Sequence, residues 1–243
     1  MIEARDKGWH SVVFLMVAML VVVSTSPGVA QSTGEPGRDS GQPNPLKNVY
    51  FGEQHLHTQS SADAFSFGTR GTPDDAYRFA KGEPIKLAPT GEMVQKSTPY
   101  DWTAVTDHAV YLGVMPMMLD PNSPLRDTEV GKMTAAGQGD AAFQKLFDSV
   151  ATNVPIDYML DPKIMKPAWQ RQVDAANKHY EPGKFTTLIA FEWSSQPDSK
   201  NLHHNVFFRD DAGPERVFSA FDSVHREDLW SYQEYQRSIG HDN

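Results

Sequence analysis

Residues 185–195, FTTLIAFEWSS, form a nearly continuous apolar run that ends in polar residues. A run of this length and kind is expected of a strand buried on both faces, as in a parallel sheet covered by helices. Downstream, residues 204–210 (HNVFFRD) read as a shorter strand. Residues 226–240 (REDLWSYQEYQRSIG) read as an amphipathic helix stopped by Gly240. Upstream, residues 140–150 (DAAFQKLFDSV) and 167–180 (PAWQRQVDAANKHY) carry apolar residues at helical spacing, and a Met- and Pro-rich irregular stretch precedes them. Residues 100–108 (YDWTAVTDH) read as a strand running into a polar loop.

Thr72-Pro73-Asp74-Asp75 joins a cap residue, a proline at the first helical position and acids facing the helix dipole. With Gly82 as a stop, the expected helix covers about residues 73–81. Residues 48–57 (NVYFGEQHLH) begin the globular part, with Val49, Tyr50 and Phe51 favouring an extended chain. Strand, helix, strand, helix predicts an α/β domain with mainly parallel pairing over residues 48–243, with no internal repeat and no second boundary.

The first 47 residues differ in character. Arg5 and Lys7 precede an unbroken apolar run from Val12 to Val23, and small residues follow up to Ala30. Residues 1–30 therefore read as a secretory signal peptide cleaved before Gln31, because the run is shorter than the ~20 residues that span a bilayer. An uncleaved anchor is the competing reading of the same run. Residues 31–47 are rich in Gly, Pro, Ser and Gln and read as a flexible leader. The mature protein is thus expected to be periplasmic or extracellular, without stable membrane association.

The chain has 243 residues, of which 39% are hydrophobic and 22% charged, and a net charge of −9. That composition is ordinary for a globular protein and argues against disorder throughout. An acidic chain without a Lys/Arg cluster is not expected to bind nucleic acid. Cysteine is absent. Disulfides, thiolate metal sites and a cysteine nucleophile are thereby excluded, and any metal must use His, Asp or Glu.

Four polar clusters fall at or just after expected strand ends: His55 and His57, Asp107 and His108, Glu192, and His203 with His204. In parallel α/β folds that edge is where sites are built. Residues two apart on a strand share a face, so His55 and His57 can aim both imidazoles at one cation. Alone, such a pair is more often two unrelated histidines. The other clusters reverse that preference, since a carboxylate beside a buried segment, such as Glu192, needs a cation or a donor. Neighbours on a strand point to opposite faces, so at most one of His203 and His204 reaches the site, and His203 is chosen. His179 and His225 are expected to be exposed and are given no role. Imidazole and carboxylate ligands suit Zn, Mn or Fe better than Ca or Mg.

Residues 51–65 (FGEQHLHTQSSADAF), 104–113 (AVTDHAVYLG), 188–195 (LIAFEWSS) and 201–208 (NLHHNVFF) together resemble the polymerase and histidinol phosphatase (PHP) superfamily. More narrowly, residues 55–83 are similar to the secreted domain-of-unknown-function 3604 family, whose characterised relatives include carbaryl hydrolases. The resemblance implies a distorted β/α barrel with a di- or trinuclear metal site. His55 and His57 match its first motif, His108 the second, Glu192 a bridging carboxylate and His203 a later histidine. Asp63 stands where some members place a further ligand, and a turn or helix cap is its competing role. The chain ends at Asn243, before the later histidine and Asp-x-His motif of a complete superfamily domain, so barrel and site are expected to be incomplete.

The expected activity is hydrolysis of an ester-type bond in a small molecule, whether phosphoester, carboxylic ester or carbamate, by metal-activated water. Asp107 is the candidate catalytic residue, orienting water or a ligand imidazole. The alternatives are an inactive metal-binding or ligand-binding exported module, or a carbohydrate- or protein-binding domain built on the 11% aromatic residues. No Gly-x-Ser-x-Gly elbow, P-loop or dinucleotide fingerprint occurs, so neither a serine hydrolase nor a nucleotide cofactor is expected.

Overall fold

The computed structural model describes residues 48–88 and 90–243. The expected signal peptide and leader lie outside the described residues. The fold is mixed α/β and is organised around the run first singled out, which forms strand β5 (Thr186–Ser195). Counting strands from the N-terminus, β1 (Gly52–Leu56) and β4 (Trp102–Val105) lie on one side of it and β6 (Leu202–Phe208) on the other, in the order β1-β4-β5-β6. The β1–β4 and β4–β5 pairings are parallel, and β5–β6 is antiparallel, joined through a short connection. The strands β2 (Ile85–Lys86) and β3 (Met93–Val94) make a separate small ribbon that the sequence pattern did not suggest.

The sheet is curled like half a barrel. Asn205 Nδ2, on one edge strand, donates to the Gln54 carbonyl on the other at 2.9 Å. Beneath the sheet, helix α6 (Pro162–His179) packs Trp169, Val173 and Ala176 against Ile189, Phe191 and Phe208. At an order-of-magnitude level, each large side chain so buried contributes about 1.5–3 kcal/mol.

The β4–β5 ladder runs to Ala104 and Leu188, breaks, and resumes at the His108–Glu192 bridge. Buried Gln172 of α6 spans the break, donating Nε2 to the carbonyls of Val105 at 3.0 Å and Ala190 at 2.6 Å. Buried carbonyls need donors, and here a helix supplies what the missing ladder does not.

Helix α2 (Pro73–Ala80) starts as expected, with Thr72 and Asp75 forming a reciprocal capping box. Two expectations are corrected. The first strand begins at Gly52, and Val49, Tyr50 and Phe51 are exposed outside it. At position 52 a side-chain carbon would lie 2.3 Å from the Trp102 ring, so only glycine lets the chain enter the sheet there. The Met- and Pro-rich stretch is not irregular throughout. Helices α3 (Val114–Met117) and α4 (Glu129–Ala135) arise from it, and with α5 (Gly139–Ala151) they bury Met115, Met118, Val130 and Leu146 in a second cluster. The short helix α1 (Ala62–Ser66) follows β1, and α7 (Arg226–Ser238) closes the described fold, with Gly240 at positive φ just beyond it. No helix among the described residues is long and apolar enough to cross a membrane.

Candidate metal centre

Alternation along β5 aims Glu192 and Ser194 to one face and Trp193 into the core. Glu192 is fully buried, yet no lysine or arginine pairs with it among the described residues. Its neighbours are four imidazoles. His55 Nε2 lies 3.1 Å and His57 Nε2 2.9 Å from Oε2, and His108 Nδ1 lies 3.4 Å from the same oxygen. His203 Nδ1 contacts Oε1 from the paired strand, where His203 stands opposite Ser194. Asp63, in the first turn of α1, places Oδ2 3.4 Å from His108 Nε2. Its other oxygen accepts the Ala64 N–H, so it serves both the turn and the cluster.

Ligand atoms of these six residues form three overlapping sets: His55, His57 and Glu192; His57, Asp63 and His108; and His108, Glu192 and His203. Within each set the atoms all lie within 4.8 Å of one another. These groups could hold a metal ion. The donor set fits one, because converging imidazole nitrogens and carboxylate oxygens need protons or a cation between them. The sets overlap at His57, His108 and Glu192, each of which belongs to two of them.

The same crowding moves the acids and bases. Burial by itself would raise the Glu192 carboxyl, but hydrogen bonds from His203 and His57 and the charges of His108 and His203 hold it well below the usual range. Asp63 follows the same balance, with burial outweighed by the His108 hydrogen bond and charge, and it falls to about 2. His57 shifts the other way: burial lowers it, and Glu192, Asp63 and Asp107 more than compensate, raising it above 6.5.

Asp107 lies behind the cluster. It is fully buried and accepts the Thr58 N–H at 2.6 Å, the Thr58 hydroxyl at 2.6 Å and the Ser61 hydroxyl at 2.7 Å, with no hydrogen bond from an imidazole. Burial pushes its carboxyl up despite those donors. This position suits orienting a ligand better than touching a substrate.

His204 points away from Glu192 and stacks on Trp193, with ring centroids 5.7 Å apart. His179 requires correction. It is buried rather than exposed, with Nε2 2.9 Å from Asp74 Oδ1, because the end of α6 packs against the start of α2. Sequence reasoning passed over three hydroxyl residues at the site: Thr58, Ser61 and Ser194, whose Oγ is 2.6 Å from His108 Nδ1. Ser194 was within reach of the pattern, since it lies two residues past Glu192 on the same strand face.

Fold and site thus define a mixed α/β protein with a buried glutamate ringed by histidines. The model of the family described as protein of unknown function (DUF3604) matches residues 44–242, and the chain belongs to that family. No curated protein and no solved structure matches it.

Proposed function

We propose that this protein is an exported metal-dependent hydrolase acting on an ester-type bond of a small molecule. The observation that carries the proposal is the ring of four imidazoles around a buried Glu192 that has no lysine or arginine partner among the described residues. His55, His57, Asp63, His108, Glu192 and His203 would hold two or three Zn, Mn or Fe ions. Such ions polarise an attacked oxygen and make water a nucleophile near neutral pH.

A cavity of about 230 Å³ adjoins His108, Asp63 and His203 and is walled by Phe67, Phe143 and Phe147. Among the described residues no lysine or arginine lines it. It has room for an uncharged apolar part of a substrate whose reactive bond rests at the cluster. The curled sheet with two parallel pairings is consistent with part of a distorted barrel of the PHP type. Export rests on Arg5, Lys7 and the apolar run from Val12 to Val23.

The test is hydrolysis of chromogenic carboxylic ester, carbamate and phosphoester substrates by protein loaded with Zn, Mn or Fe. Turnover of one class that vanishes on chelation and in a His55→Ala, His57→Ala double variant is the expected result. Metal uptake without turnover of any class would overturn the hydrolase and leave a metal-binding module.

A further inference from the structure

We propose that Ser61 is a positioning residue that forces His57 to present Nε2, and not Nδ1, to a metal ion. The inference rests on the metal-centre proposal above and deepens it. Ser61 is fully buried and its Oγ meets three polar groups: Asp107 Oδ1 at 2.7 Å, His57 Nδ1 at 2.7 Å and the His108 backbone nitrogen at 3.0 Å. A hydroxyl has one proton and two lone pairs. The His108 N–H can only donate, so it takes one lone pair. Asp107 Oδ1 can only accept, so it takes the proton. The remaining lone pair faces His57 Nδ1, which must therefore carry a hydrogen.

The assignment survives protonation of Asp107. Oδ1 already accepts the Thr58 N–H at 2.6 Å, so a carboxyl proton belongs on Oδ2, facing the Thr58 hydroxyl. Ser61 still donates to Oδ1. With Nδ1–H fixed, the bare nitrogen of neutral His57 is Nε2, which lies 2.9 Å from Glu192 Oε2, its partner in a candidate ligand set. Two acceptors at that separation are held together by a proton or a cation.

An independent sign comes from helix α1. Ser61 occupies its N-cap position in an extended conformation, yet its side chain caps none of the helix N–H groups. Serine is favoured at that position for the capping bond. Here the hydroxyl forgoes it because all its hydrogen-bonding capacity is committed to Asp107, His57 and His108. The chain Asp107–Ser61–His57 is then an outer-shell device that sets a ligand's tautomer, as carboxylates and carbonyls do directly in other metal sites.

The experiment uses protein labelled with 15N-histidine and loaded with zinc, together with zinc affinity from competition with a chromophoric chelator. In the wild type, His57 should show a protonated Nδ1 in slow exchange with water and a metal-shifted Nε2. Ser61→Ala should lose the slow Nδ1–H signal and bind zinc about 10–100-fold more weakly. Ser61→Thr, which keeps the hydroxyl, should restore both. A bare Nδ1 on His57 in the zinc-loaded wild type overturns the proposal even if the alanine variant fails to fold. Unchanged affinity in a folded Ser61→Ala variant overturns it too. Absence of zinc uptake by the wild type would instead strike the metal-centre proposal itself.

Discussion

Replacing Gln172 by methionine tests how the fold presents the site. The side chain keeps its length and volume but loses both donors to the carbonyls of Val105 and Ala190. Each buried carbonyl left without a partner costs about 1–3 kcal/mol, so two cost about 2–6 kcal/mol. Gln172 Oε1 is itself buried without a partner, and removing it returns about 1–3 kcal/mol. The net destabilisation is then about 1–3 kcal/mol, which lowers Tm by about 2–12 °C in a domain of this size. Differential scanning calorimetry reads it directly. Zinc affinity should fall as well, because His108 and Glu192 form the first bridge beyond the break that Gln172 spans. A variant melting within 1 °C of the wild type would refute the idea that this side chain closes the gap between the strands.

Glu192→Gln keeps the shape of the central side chain and removes its charge, so metal affinity should fall by more than about 100-fold, beyond the usual outer-shell effect, in a chelator competition assay. His179→Ala removes a buried ring and its contact with Asp74, and should cost about 2 kcal/mol in urea unfolding while leaving metal content unchanged. The pH dependence of the metal-free protein has two limbs. Asp63, at about 2, and Glu192 are depressed in the folded state, so their stabilisation is present above the unfolded values near 4 and is lost as pH falls through the folded ones. His57 is raised, so its contribution is complete below about 6.5 and is lost as pH rises through its folded value. Urea unfolding in the presence of chelator should therefore show the cluster's stabilisation greatest between about pH 4.5 and 6.5, and a stability rising steadily from pH 6.5 to 8 would contradict it.

The parts of the fold legible in the sequence are those set by local chemistry. Strand β5 was readable because both of its faces are apolar, and α2 because Thr72, Pro73 and Asp75 are start signals independent of tertiary contacts. Five of the six candidate ligands were readable because chemistry-bearing residues sat at or just after strand ends, and period-two alternation allowed only one of His203 and His204 to reach the site, whereas Asp63, in the first turn of α1, was suggested by the family resemblance alone. What escaped depends on packing between distant segments. The burial of His179 follows from α6 meeting α2, and the entry of β1 at Gly52 follows from the Trp102 ring, 50 positions away. The methionines of α3 look irregular in sequence because four-residue helices carry no period, yet they fill a cluster with α4 and α5. Ser61 carries no signal of its own in the sequence, and only the approach of Asp107 gives its hydroxyl a task at the site.

The most direct experiment is the metal content of the purified protein by elemental analysis, beside the His55→Ala, His57→Ala double variant with its fold checked by circular dichroism. Stoichiometric Zn, Mn or Fe in the wild type that disappears in the folded double variant is the expected result. A well-folded wild type that takes up none of these ions, even when they are supplied during purification, would contradict a metal centre at Glu192.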